Sequence, residues 1–174
     1  MRSLFFALCA LCVLLLLPLS GLAHTGIYAT YNASNFDVPN VGWKNGVAFG
    51  LYHDMWNVPF IHTGFDARAS FIGSGDNQVA SGAIGPRISL HPHVLPVMPY
   101  GEALIGGGHV QFGQGSARTD TAALEYRLIA GADWTILPHI DWRVVEFTYS
   151  GYSNMDNQSF NPKTIATGIV IRLP

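Results

Sequence analysis

Ten ionisable side chains fall at positions whose spacing could bring them together: Asp66, Arg68, Arg87, Glu102, Glu125, Arg127, Asp133, Arg143, Glu146 and Arg172. Several recur at a separation of two, as in Asp66-x-Arg68 and Glu125-x-Arg127. In an extended chain that spacing puts both members on one face. Five acids and five bases balance, so the first chemistry they offer is a network of ion pairs. The second is a polar path for ions or protons.

The remaining reactive residues add little to a catalytic reading. There is no Gly-x-Ser-x-Gly elbow and no His-Glu-x-x-His pair. The stretch Ser150-Gly151-Tyr152-Ser153-Asn154 resembles the His-x-Ser-Asn motif of outer-membrane lipid A deacylases, but Gly151 stands where the base should be. A serine without its base is a poor nucleophile. His91-Pro92-His93 could turn two imidazoles the same way, yet no third ligand lies nearby in sequence, and zinc usually takes three or four. No catalytic residue, cofactor or metal is therefore expected. Both cysteines, Cys9 and Cys12, fall in the first segment, leaving the rest without thiols. With a net charge of −2 and no basic cluster, a nucleic-acid partner is not expected either.

What must position the ten charges is legible from composition. Only 11% of the 174 residues are charged and 49% are hydrophobic, with 19 glycines. That charge content is less than half of the roughly 25% usual for soluble domains. Residues 1–23 read as a signal peptide: Arg2, an apolar run from Leu4 to Leu17, a break at Pro18, and Gly21-Leu22-Ala23 ahead of a cleavage point before His24. Residues 24–174 then form one domain. No later stretch is apolar for about 18 residues, so membrane entry would require a closed β-barrel, the other structure that satisfies its own backbone in lipid.

The pattern after residue 24 is period two, interrupted by Gly, Asn, Asp, Ser and Pro. It predicts eight strands at about 25–32, 45–53, 60–72, 78–90, 97–108, 122–134, 140–149 and 164–173. The third is the clearest: Ile61, Thr63, Phe65, Ala67, Ala69 and Phe71 alternate with His62, Gly64, Asp66, Arg68 and Ser70. The seventh breaks alternation. If Arg143 points inward, strict period two drives Glu146 into lipid, and a β-bulge at Val144-Val145 restores both to the inside. Pro86, within the fourth strand, calls for a bulge or shift, since a closed barrel has no edge to hold it. Polar loops at 33–44, 109–121 and 150–163 and a middling one at 73–77 alternate with short turns at 54–59, 91–96 and 135–139. Trp56, Tyr100, Trp134 and Trp142 near the short turns, and Tyr31, Trp43, Phe71, Phe112 and Tyr149 near the long loops, suggest two aromatic girdles.

The fold class expected is thus all-β: an eight-stranded antiparallel up-and-down transmembrane barrel with its charges inside. Arg at the lipid midplane would cost about 2–4 kcal/mol. An eight-stranded interior is only wide enough for side chains to fill, so the charges should plug it. Gly85-Pro86-Arg87, Pro99-Tyr100-Gly101, Gly131-Ala132-Asp133, Arg143-Val144-Val145-Glu146 and the closing Thr167-Gly168-Ile169-Val170-Ile171-Arg172-Leu173 resemble the OmpA-like, porin-superfamily outer-membrane β-barrel domain. The resemblance implies residence in the bacterial outer membrane, with the lipid bilayer as partner. It also implies contact between the last strand and the barrel-assembly machinery, although Leu173-Pro174 replaces the usual terminal aromatic. A structural or interaction role through the long loops is expected, including an extracellular partner there. The alternatives are a narrow channel for water, ions or small solutes, a lipid-modifying barrel enzyme, and a soluble periplasmic barrel of lipocalin type.

Overall fold

A computed structural model describes residues 25–36, 42–74, 77–92, 95–112, 119–153 and 160–173. The expected signal peptide and its cleavage point lie outside the described residues. Eight antiparallel strands follow one another around a closed barrel: β1 (Thr25–Asn35), β2 (Trp43–Val58), β3 (Ile61–Ser74), β4 (Asn77–Leu90), β5 (Val97–Phe112), β6 (Thr119–Leu137), β7 (Ile140–Ser153) and β8 (Lys163–Leu173). β1 pairs with β8 from Thr25/Leu173 to Asn35/Lys163, which closes the cylinder and removes every edge.

Alternation decides the faces as the sequence suggests. In β3, Asp66, Arg68 and Ser70 are buried while Phe65 and Phe71 are exposed. In β6, Glu125, Arg127 and Asp133 are buried while Leu124, Tyr126, Leu128 and Trp134 are exposed. The outer wall is a continuous belt of Ile, Leu, Phe, Trp and Tyr, with Ile105 65% and Leu128 57% accessible. A monomeric soluble protein rarely exposes more than a few hundred Å² of contiguous apolar surface, so this wall is built for lipid.

The β7 bulge is present. Register slips by one between Arg143 and Glu146 against β8 and between Asp133 and Ala132 against β6, and both charged side chains end inside at 0% and 1% exposure. Pro86 behaves otherwise than expected. β4 and β5 pair at Ile84/Ile105 and again at Arg87/Glu102 in unchanged register, with neither bulge nor shift. An antiparallel residue directs its N–H to one neighbour only. Pro86 interrupts the ladder toward β5 and keeps its place opposite Phe65 on β3. A second bulge, not expected from sequence, falls at Met55, between Asp54 and Trp56.

The strands are longer than their apolar segments. About 9–11 tilted residues cross a bilayer, whereas β6 has 19. The expected loop 109–121 is therefore largely a paired hairpin, with Val110 opposite Thr121 and Phe112 opposite Thr119. Within the expected loop at 73–77 the ladder continues, with Gly73 opposite Gln78 and Ser74 opposite Asn77. The expected turn 54–59 is mostly strand, because β2 continues to Val58. Two short turns share one construction, Val58-Pro59-Phe60-Ile61 and Leu137-Pro138-His139-Ile140, with Phe60 and His139 at φ of 72° and 70°. Of the girdle residues, Tyr31, Trp43, Trp56, Phe71, Trp134, Trp142 and Tyr149 face outward. Tyr100 does not: it is 5% exposed and belongs to the lumen, because position 100 shares the parity of Glu102. The side chain of Phe112 lies outside what is described.

Candidate functional site: the filled lumen

The lumen is filled in layers, ordered by depth along the strands. At the loop end, Phe36, Val79, Val110, Ala123, Tyr152 and Phe160 pack together with Ile72 against them. Phe160 lies edge-on to Phe36 at 5.5 Å and beside Tyr152 at 5.1 Å. Inward parity delivers the strand members of this cluster, Val79, Val110, Ala123 and Tyr152, to the loop end of the lumen.

Beneath this cap sits a two-residue ion pair from one strand. Arg127 donates through Nε to Glu125 Oε1 at 2.7 Å and through Nη2 to Oε2 at 2.9 Å. Its Nη1 reaches Ser70 Oγ at 2.8 Å and Nη2 reaches Ser81 Oγ at 2.5 Å, while the Tyr152 hydroxyl donates to Glu125 at 2.5 Å. The sequence spacing Glu125-x-Arg127 thus yields one bidentate pair whose spare donors span to β3 and β4.

The centre of the barrel is a cluster of seven charges from five strands. Arg68 on β3 holds Glu146 on β7 with both terminal nitrogens, at 2.5 and 3.0 Å, and donates to Glu102 on β5 at 3.1 Å. Arg143 grips Asp133 through Nε at 2.9 Å and Nη2 at 3.2 Å, and donates from Nη1 to Glu146 at 2.9 Å. Arg87 reaches Glu102 at 2.5 Å and lies 3.7 Å from Asp133. Asp66 is the outlier. It stands 3.7 Å from Arg68 Nε and is held instead by the Tyr28 hydroxyl, which lies 2.8 and 2.7 Å from its two oxygens. Planar guanidinium forks suit this bidentate sharing, which lysine could not reproduce.

Tyrosines complete the centre, and sequence reasoning had not assigned them this role. Tyr100 donates to Glu146 Oε2 at 2.6 Å, and Arg68 Nε donates to the Tyr28 hydroxyl at 2.8 Å. The Arg87 guanidinium sits 4.2 Å from the ring centres of both Tyr52 and Tyr100, and Arg143 sits 4.3 Å from Tyr28 and 4.6 Å from Tyr100. Arg87 and Arg143 thus each lie over two rings while their edges make ion pairs, and Arg68 lies over Tyr28 alone at 5.0 Å. Each tyrosine also lies across from a glycine: Tyr28 opposite Gly50, Tyr52 opposite Gly26, Tyr100 opposite Gly131. A Cβ at any of the three glycines would overlap the facing ring. That Tyr-over-Gly pairing was the available signal in the sequence.

Arg172 departs from expectation. Its parity is inward, but it lies level with Gly26 at the short-turn end, is partly exposed, and pairs with Asp141 at 3.0 Å. Parity fixes a face and not a depth, so nine of the ten residues share the two inner clusters and Arg172 joins a rim pair. Asp141 and Asp54 are buried lumen acids outside the expected set: a strand end drawn too short hid Asp54, while Asp141 shares the parity of Arg143 within the expected seventh strand. Asp54 lies 3.6 Å from His62, whose ring stacks on His91 at 3.8 Å. No group of three or more His, Cys, Asp or Glu among the described residues could hold a metal.

The serine of the deacylase-like stretch is equally plain. Gly151 lies on the outer face beneath Tyr126, where a Cβ would meet the ring, and Ser153 Oγ is 3.5 Å from the Leu124 carbonyl. Asn154 lies outside the described residues.

With a closed eight-strand cylinder, an apolar wall and a charged interior established, comparison with solved structures is informative. The fold is that of the small outer-membrane β-barrels. Neisserial surface protein A superposes with a TM-score of 0.56 at 11% identity, covering 87% of this chain and 97% of that one. Ail, the attachment invasion locus protein of Yersinia pestis, gives 0.54 at 14%, again over 87% and 97%. The outer membrane enzyme PagL gives 0.53 at 16%, over 85% and 99%. No family model and no curated protein matches the chain. At such identities the likeness is one of architecture, shared by proteins with and without enzyme names.

Proposed function

We propose that this protein is a structural or interaction barrel of the bacterial outer membrane, its lumen sealed by the charge network. The observation that carries the reading is the density of that network. Between Arg68, Glu146, Glu125, Arg127 and the apolar cap there remains a cavity of about 20 Å³, room for about one water. Among the described residues, Arg68, Arg127 and Arg143 are each bidentately paired with a carboxylate, which favours a plug over a continuous polar path. The ten candidate residues then act structurally: they hold strands that are distant in sequence and fix register. An unpaired buried charge would cost several kcal/mol, so the network resists opening.

The interaction half of the proposal rests on the hairpins that stand above the membrane, β5–β6 foremost. A paired extension presents a fixed surface to an extracellular partner, and one neighbour in fold, Ail, is named an attachment invasion locus protein. β8, with Ile165, Ile169 and Ile171 outward, is the strand we assign to recognition by the assembly machinery.

Reconstitution in planar bilayers tests the sealed lumen. The wild-type barrel is expected to give no stepwise current; discrete steps would replace this reading with the narrow channel. Lipid A mass spectrometry after expression tests the enzyme alternative, with no change in acylation expected.

A further inference from the structure

We propose that a groove on the outer wall between β6, β7 and β8 binds one anionic, phosphate-bearing, acylated lipid of the outer leaflet. The inference rests on the membrane placement proposed above. The groove has a volume of about 490 Å³, within the range of about 300–1,000 Å³ typical of ligand sites. Two rungs of the sheet build it. The lower joins Ala130, Phe147 and Ile165 across the three strands, and the upper joins Leu128, Tyr149 and Lys163. Small Ala130 leaves the hollow, while the larger outward side chains form its walls. Toward the loops it ends at Lys163 and Trp43, which share one rung through Asn35.

Charge selects the occupant. Among the described side chains, Lys163 is the one charged group on the outward face: the arginines and acids of the strands point inward, and Lys44 has inward parity. An ammonium at the loop-side boundary of an apolar wall matches a lipid phosphate, with the acyl chain lying along the groove below it. Trp43 and Tyr149 sit at the same level, where amphipathic rings prefer the headgroup region.

The test uses the full barrel in dodecyl maltoside micelles carrying dipalmitoyl phosphatidylglycerol or dipalmitoyl phosphatidylcholine, with bound lipid counted by native mass spectrometry. One phosphatidylglycerol is expected to remain bound, favoured about fivefold over phosphatidylcholine, the factor expected for one lysine at a lipid surface. Lys163→Gln should abolish the preference, Lys163→Arg should keep it, and Ala130→Leu should reduce retention of both lipids by filling the groove. Retention unchanged in Lys163→Gln or Ala130→Leu would overturn the site. Heat-modifiable migration of each sample on a detergent gel separates the two readings. Loss of the shift in the wild type defeats the membrane barrel, whereas a normal shift with unchanged retention defeats the lipid site alone.

Discussion

Trp142 and Thr167 are joined across the outer wall: the indole Nε1 donates to the threonine hydroxyl at 3.0 Å, and that hydroxyl donates to the Arg143 carbonyl at 2.9 Å. The β7 bulge explains why. The register slips at Val144-Val145, directly after Arg143, and in lipid no water can serve a backbone carbonyl beside such an irregularity. Thr167 supplies that carbonyl with a donor and Trp142 donates to the threonine in turn. The bulge that brings Glu146 inside is thus balanced by one side chain on β8.

Thr167→Val should therefore destabilise the barrel by about 1–3 kcal/mol, the cost of an unsatisfied buried acceptor. Trp142→Phe should cost less, because it leaves the threonine free to keep the carbonyl. Urea unfolding in lipid vesicles, followed by tryptophan fluorescence, measures both. Equal losses, or none for Thr167→Val, would show that the carbonyl is satisfied otherwise.

The central cluster sets four carboxylates, Asp66, Glu102, Asp133 and Glu146, against three guanidinium groups, those of Arg68, Arg87 and Arg143. Glu146 is contacted by two arginines and a tyrosine, whereas Asp66 lies 3.7 Å from its nearest guanidinium. Glu146→Gln should cost about 3–5 kcal/mol, as expected when a buried pair loses one partner. Asp66→Asn should cost about 1 kcal/mol or less, because it relieves the excess of negative charge and keeps an acceptor for Tyr28. The same unfolding assay ranks them, and a reversed order would mean that the ion pairs are not the network's main support.

Much of this arrangement is legible in the residues themselves. The inward set follows from period two and from the cost of charge in lipid, and the bulge follows from the clash of those two rules at Arg143 and Glu146. Depth is not legible. Arg172 has the right parity yet sits at the rim, because the stagger between strands, which only pairing fixes, decides which inward residues share a level. Strand ends are equally hidden. Residues 109–112 and 119–121 mix His, Gln, Thr and Asp with Val110 and Phe112 and flank a Gly-rich stretch, so they resemble a loop, but beyond the bilayer a strand no longer needs an apolar face. Asp54 was missed for the same reason, being placed in a turn when the ladder runs past it, whereas Asp141 stands at the start of the expected seventh strand with the parity of Arg143 and was left out of the inward set.

The extended β5–β6 ladder makes a direct expectation for amide hydrogen exchange. The amides of Val110, Gln111 and Thr121 lie within paired strands and should exchange far more slowly than those of an open loop. Exchange within seconds at these positions, in a barrel whose membrane strands remain protected, would restore the long-loop picture and remove the fixed surface on which the interaction role depends.

His139 offers the sharpest test of the short turns. It follows Pro138 and adopts φ 70°, a region most side chains enter only at a cost, while its carbonyl accepts from the Arg172 N–H at 2.8 Å. Pro at the first central position and a positive φ at the second describe a type II turn, for which glycine is the preferred second residue. His139→Gly removes the steric cost but adds freedom to the unfolded chain, and the two effects partly cancel, leaving a gain of up to about 1 kcal/mol. His139→Val cannot relax in this way, since a β-branched residue at positive φ is a genuine outlier; it should lose about 1–2 kcal/mol. Unfolding midpoints should therefore rank Gly above His above Val. If valine were tolerated as well as histidine, the turn would have to be adopting another conformation in the membrane, and the matching Pro59-Phe60 turn with it.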